Sequence, residues 1–280
     1  MNVNRREFLA AGAGFGLVSA AGGLVSGIAP SVHAQSSSNA GSPETLSPFH
    51  PEFPSQAPDV VREIVGASHT ELDKVKALVT ARPALAKASW DWGFGDWESA
   101  LGAASHMGRR DIAEFLLANG ARPSIFSAAM LGQVDVVRAF VQASPGVQRI
   151  PGPHGIPLMR HAIAGGDEAK SVAEYLESLG DADQRAASVE VSANELERYV
   201  GTYGFGNGAD ERFVISIDSK GSLRIARGDR SGKVLFALGE NAFFPGGADA
   251  VRIRFAMQGD HAAALSIHDP DVLVTAVRIG

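Results

Sequence analysis

The chain has 280 residues, with 25 Lys and Arg against 31 Asp and Glu, eight His and no Cys. The lack of Cys excludes disulfides, thiolate metal sites, iron–sulfur clusters and Cys nucleophiles. A formal charge of -6 argues against a nucleic-acid partner, since phosphate backbones are bound by clustered Lys and Arg. The length admits one or two domains with cores of their own.

In chain order, residues 1–34 read as an address, not as part of the fold. Asn4-Arg5-Arg6-Glu7-Phe8-Leu9 is a short basic head. A mildly apolar stretch follows from Ala10 to Ile28, and Val32-His33-Ala34 fits a small-residue cleavage site before Gln35. The twin arginines followed by Phe-Leu resemble a bacterial twin-arginine (Tat) export signal. That resemblance implies a periplasmic or secreted protein, exported already folded. No later segment has 18 consecutive apolar residues, so no stable membrane insertion is expected after the signal is removed. Exported folded proteins often carry a cofactor, but no cofactor motif is present and none is expected.

Residues 35–58 are rich in Ser, Pro, Asn and Gly and read as a flexible tether. Residues 59–180 carry a helical period that repeats. Leu101-Gly102-Ala103-Ala104-Ser105-His106-Met107-Gly108 is followed by Asp111-Ile112 and Phe115-Leu116-Leu117. Ile125 to Gly132 and Leu158 to Gly165 repeat the pattern, with an earlier partial unit at Val60–Val79. In each unit an Ala-faced helix permits close approach, Gly108, Gly132 or Gly165 ends it with a left-handed cap, and a second helix offers apolar residues at i, i+3 and i+4. Thr70 and Asp73 fit a capped start for the earliest second helix. The stretch Gly108 through Asp111-Ile112-Ala113-Glu114-Phe115-Leu116-Leu117-Ala118-Asn119-Gly120-Ala121 resembles the second helix and Gly-Ala ending of an ankyrin repeat. The resemblance implies three to four degenerate repeats in a short helical solenoid.

Residues 181–191 are polar and read as a linker. Ser192-Ala193-Asn194-Glu195 is a capping box, and after it the period changes from helical to two. Phe213–Ile217, Ser222–Ala226, Lys233–Leu238, Ala242–Phe244, Val251–Met257, Ala262–His268 and Val272–Ile279 read as short strands. The glycines from Gly201 to Gly208 sit in a hairpin context. The pattern predicts a small antiparallel β-barrel over 192–280, with Phe213, Ile215, Ile217, Phe236, Phe243 and Phe255 facing inward. Leu196-Glu197-Arg198-Tyr199-Val200-Gly201-Thr202-Tyr203 resembles the opening of the lipocalin-like DUF3471 domain. In serine β-lactamase-like hydrolases that domain is an accessory to catalysis elsewhere. The expected fold class is thus α plus a separate β domain.

No Gly-x-Ser-x-Gly, Ser-x-x-Lys, His-Glu-x-x-His or phosphate-loop spacing occurs. His106 and His161 fall near equivalent places in two repeats. They suit either a metal or proton site or ordinary loop hydrogen bonding, and no set of three or four converging ligands is apparent. The aromatic cluster Ser89-Trp90-Asp91-Trp92-Gly93-Phe94-Gly95-Asp96-Trp97-Glu98 holds every Trp of the chain. In an extended finger Trp90, Trp92 and Phe94 share one side, with Asp91 on the other. Such rings are either partner anchors or a cover for the degenerate first repeat. The prolines of the next finger, Pro151–Pro157, with His154 in it and Arg149 before it, form either a neighbouring contact wall or a plain repeat-connecting turn. The candidate binding residues are therefore Trp90, Asp91, Trp92, Phe94, Trp97, Arg149 and His154, with no catalytic residue and no metal ligand assigned. The expected function is a noncatalytic exported module that binds a periplasmic protein partner. The alternatives are a small-molecule binder using the barrel and, behind it, an unrecognised hydrolase with acids such as Asp91 and Asp96.

Overall fold

The computed structural model describes residues 54–228, 230 and 232–280. The expected export signal at 1–34 and most of the tether lie outside the described residues.

The helical part contains four antiparallel pairs. They are α1 (Pro58–Ala67) with α2 (Leu72–Ala81), α3 (Ala100–His106) with α4 (Arg110–Ala118), α5 (Ile125–Met130) with α6 (Val134–Ala143), and α7 (Leu158–Ala164) with α8 (Lys170–Leu179). Each pair alone leaves an apolar stripe uncovered, so stability comes from packing pair on pair. Ile64, Val75, Leu101, Ile112 and Leu116 are buried in one cluster, while Val137, Leu158, Val172 and Leu176 are buried in a second.

Small residues decide how closely the inner helices meet. Helices α3, α5 and α7 each touch the other two, whereas a straight row would bring only sequential neighbours together. A Cβ at Gly108 would lie 2.2 Å from the carbonyl oxygen of Ala164, and one at Gly132 would lie 2.1 Å from that of Glu168. Both glycines are left-handed, with φ of 68° and 77°, as expected for helix-ending caps. Gly165 departs from that expectation. It stays right-handed at φ -71°, and Gly166 takes the left-handed turn at φ 65°. Gly165 is instead required by proximity, since a Cβ there would sit 2.1 Å from the Met130 carbonyl oxygen. The expected cap at Thr70 is also displaced. Helix α2 starts after Glu71 without a side-chain cap, and the Thr70 carbonyl is bound by Arg109.

Between α2 and α3 the chain forms a two-stranded hairpin, β1 (Ser89–Asp91) and β2 (Trp97–Ser99), with Trp90 opposite Glu98. Its tip, Gly93-Phe94-Gly95, is left-handed at all three residues. The Asp91 carboxylate accepts the Gly93 N–H at 2.8 Å and fixes the turn.

The C-terminal part opens on the expected capping box. The Ser192 hydroxyl accepts the Glu195 N–H, and the Glu195 carboxylate accepts the Ser192 N–H. Eight antiparallel strands then close into a barrel: β3 (Gly201–Gly204), β4 (Arg212–Ile217), β5 (Leu223–Arg227), β6 (Lys233–Gly239), β7 (Ala242–Pro245), β8 (Arg252–Gln258), β9 (His261–Asp269) and β10 (Asp271–Arg278). Sequential strands are neighbours, and β10 pairs with β3 to close the ring. Tyr203, Phe213, Ile215, Ile225, Phe243, Ile253, Phe255 and Leu265 fill the interior, so the barrel centre is packed with side chains. Tyr203 donates its hydroxyl to the Tyr199 carbonyl at 2.7 Å, which ties the entry turn to β3.

One expected inward residue points the other way. Phe236 is exposed and stacks on Phe244 outside, while Leu235 and Ala237 face the core. The inward phase of β6 is one residue off the one expected, and a slip of one exchanges the two faces. The expected linker at 181–191 is tied to the barrel at its end, where Val189 bridges to Ala237 and Val191 packs on the barrel core. Among the described residues no helix is long and apolar enough to cross a membrane.

Candidate metal centre

Four polar side chains converge at the junction of α1, α3 and the two fingers. His69 lies just past α1, His106 is the last residue of α3, Glu98 is the middle residue of β2, and His154 stands in a short 3-10 turn at Pro153–Gly155. One ligand atom from each lies within 4.8 Å of the others. Ligands 2.0–2.1 Å from a zinc ion sit about 3.3 Å apart in a tetrahedron, so a small contraction brings this set to coordination distance.

The Glu98 carboxylate is the hub, and its side chain is fully buried. One oxygen is 2.9 Å from His106 Nε2. The other accepts from Trp92 Nε1 at 2.7 Å and faces His69 Nε2 and His154 Nε2, each at 3.4 Å. Its position follows from local sequence: Ser99 is the N-cap of α3, accepting the Gly102 N–H at 2.9 Å, and Glu98 precedes that cap.

The other nitrogens of two imidazoles are already committed. His69 Nδ1 is 2.9 Å from the Gly66 carbonyl oxygen, which can only accept, so Nδ1 carries the hydrogen. His154 Nδ1 donates to an oxygen of Asp96 at 2.7 Å, and the His154 backbone N–H donates to the other at 2.8 Å. Both rings therefore aim Nε2 at the Glu98 carboxylate. Two lone pairs facing a carboxylate repel unless a positive species lies between them. That species is a proton or a metal ion, and a carboxylate or carbonyl behind each imidazole is the usual support of a metal-bound His.

Without a metal, the site holds a proton. Burial lowers the His154 pKa, but hydrogen bonds to Asp96 and Glu98 outweigh it and raise the value to about 9. Burial raises the Glu98 carboxyl, yet the hydrogen bonds from His106 and His154 outweigh it and hold it at about 2. Asp96 is likewise pushed up by burial and carried below the usual carboxylate range by hydrogen bonds from His154 and Lys233. His154 also has a left-handed backbone, φ 61°, an arrangement that costs a non-glycine residue roughly 1–3 kcal/mol and that the Asp96 clamp maintains.

The residues expected from sequence fall in different places. His154 is in the centre, and Trp92 touches it through Glu98. Trp90 packs with Trp92 on the helical core, whereas Phe94 packs on the barrel core. The three rings do not share one side, because the left-handed tip turns Phe94 away from the strand's alternation. Asp91 holds the hairpin turn. Trp97 is 65% exposed. Arg149 lies 3.6 Å from the Asp181 carboxylate, away from the cluster. His161 is fully buried on α7 with both ring nitrogens unpartnered, and its ring centroid is 6.3 Å from that of His106. Burial first, and the neighbouring His106 second, lower its pKa to about 3.

His69, Glu98 and His106 match no metal-ligand spacing in sequence, although its place in the repeat makes His106 a metal or proton candidate. Their one signal is position, since two of them sit at the ends of successive inner helices. Beside the centre lies a cleft of about 1020 Å³ between the finger and the barrel mouth, lined by Trp90, Trp92 and Phe94 and by Phe213, Leu273 and Val274. No protein-family model matches the chain, and no curated protein matches it.

Proposed function

We propose that this is an exported, noncatalytic binding module built around a divalent transition-metal ion of the zinc class. His69, His106 and His154 would bind through nitrogen and Glu98 through a carboxylate oxygen. The observation that carries this reading is the pair of imidazoles whose Nδ1 atoms are pinned and whose Nε2 atoms face one buried carboxylate. Imidazole-rich sets suit zinc, copper, nickel and iron over magnesium and calcium. Four protein ligands complete a tetrahedral shell, which suits an ion that holds structure. It would staple α1, α3 and both fingers together.

The scaffold around it reads as an ankyrin-type array, supported by the four helix pairs and the glycine caps at Gly108 and Gly132. Export through the Tat route is supported by the Arg5-Arg6 head and the cleavage-type Val32-His33-Ala34, and folded export suits a module loaded with metal beforehand. Trp97, exposed beside Glu98, is the anchor this reading offers to a protein partner. Titration calorimetry of chelator-stripped protein with zinc chloride tests the proposal. One ion per chain is expected, with binding abolished in a Glu98→Gln/His106→Ala variant. No heat, together with no zinc in the purified protein by elemental analysis, overturns it.

A second reading, small-molecule binding, is favoured by the cleft at the barrel mouth, because the barrel centre itself is filled. Quenching of tryptophan fluorescence by an aromatic probe, lost in Trp90→Ala, would support it. Unchanged emission across probes of differing charge would remove it.

A further inference from the structure

The metal centre belongs to the helical part, yet one of its supports comes from the barrel. The Asp96 carboxylate stands behind His154 and is 2% exposed. The same oxygen that accepts from His154 Nδ1 is bound by the ammonium of Lys233, the first residue of β6. Lys233 also donates to the Gly246 carbonyl at 3.1 Å, so its position is fixed by the barrel on both sides. The junction is tight enough to exclude a methyl group. A Cβ at Gly247 would fall 2.5 Å from the Asp96 carboxyl carbon, closer than any side chain allows. Phe94, at the finger tip, packs on the barrel core from the same side.

From this geometry we infer that Lys233 is a positioning residue of the metal centre, and that the barrel thereby sets both the affinity and the ligand count of the site. The inference rests on the metal reading above. Asp96 has two possible roles near an ion. It can hold His154 from behind, or it can swing in as a second carboxylate ligand. Lys233 and the His154 backbone N–H between them occupy both Asp96 oxygens and keep the carboxylate in the first role. The donor set then stays at three imidazoles and one carboxylate, which favours imidazole-loving ions over oxygen-loving ones. Coupling runs the other way as well, since two linked equilibria must affect each other equally. An ion that fixes His154 fixes Asp96, and Asp96 fixes β6 against the finger.

Two measurements on the full chain test this. The first is zinc affinity by competition with a chromophoric chelator, in wild type, Lys233→Met, Lys233→Arg and, as a control on a distant hairpin, Lys220→Met. Lys233→Met is expected to weaken zinc binding about 10- to 100-fold, the usual effect of removing an outer support. Lys233→Arg should recover part of the loss, and Lys220→Met should match wild type. The second is amide hydrogen exchange on unmutated protein, which needs no variant to fold. Zinc should slow exchange across Lys233–Gly239 as well as in the finger. Zinc binding of wild-type strength in Lys233→Met, or protection confined to the helical part, overturns the inference while leaving the metal site intact. Wild-type protein that binds no zinc overturns both.

Discussion

The helical part and the barrel solve the problem of a core in different ways. Every buried polar or charged residue among those described lies in the helical part: Ser68, Asp96, Glu98, Ser105, Ser127, Gln148 and His161. The barrel core is apolar apart from tyrosine hydroxyls, and those are bonded to Tyr199 O and to Asn241. Burying a charge without a partner is costly, so a fold retains such groups where they are paired or hold an ion. The barrel reads as a rigid support, and the helical part as the bearer of chemistry.

That contrast can be broken first at the barrel. Phe243 is 2% exposed and meets Tyr199 and Phe255 edge-on. Phe243→Ala should cost about 3–5 kcal/mol in urea unfolding of the metal-free chain, the range for losing a buried ring. Its zinc affinity should fall only if the barrel no longer docks. Glu98→Gln comes next. It keeps the shape and removes the charged ligand, so zinc affinity should drop at least 100-fold, or about 3 kcal/mol. Trp92 fluorescence should respond to zinc in wild type and not in the variant, because the indole N–H is bonded to that carboxylate.

The metal-free protein should have its stability maximum near pH 6.5. His154 is raised from 6.5 to about 9, so its contribution is complete below 6.5 and is lost as pH rises through 9. His161 is lowered from 6.5 to about 3, so its contribution is complete above 6.5 and is lost as pH falls toward 3. Glu98, held at about 2 against 4.5, adds a further loss between those values. The alkaline arm should amount to roughly 1–2 kcal/mol for a partly solvated group and should vanish with saturating zinc, which replaces the proton. Melting temperature against pH, with and without zinc, checks this. A curve that keeps its alkaline arm in zinc would contradict the shared site.

Two smaller effects sharpen the comparison. His161→Phe removes two unpartnered buried nitrogens beside Phe126 and should change stability by no more than about 1 kcal/mol, toward gain. Trp97→Ala should alter stability by under about 0.5 kcal/mol, since the ring is mostly in solvent. A large loss there would show that the ring packs on something within the chain.

The barrel was the more legible half. Alternation in Phe213–Ile217 and the turn at Asp218–Gly221 mark β4, β5 and their hairpin, since period two and turn chemistry are local signals. Phe236 marks the limit: in Lys233–Gly239 apolar residues stand on both faces, so composition could not choose the phase. The helix pairs were visible through their small-residue helices and glycines. The centre was not. His69, Glu98, His106 and His154 are separated by 29, 8 and 48 positions, and no spacing rule joins them. They meet because inner helix ends and fingers stack in space, which a single sequence does not display. Of the four, His154 is marked by the glycines and prolines around it and His106 by its place in the repeat, whereas His69 and Glu98 carry no such mark.

The closed ring of strands has one more consequence. An extended peptide can join a sheet only at an unpaired edge, and β10 meeting β3 at Val277 and Arg278 closes the ring at that end. The finger hairpin adds strand edges of only three residues each. That is too short a template to recruit a foreign strand firmly. Where the ring is paired, topology alone blocks sheet-to-sheet association, with no need of charged gatekeepers there.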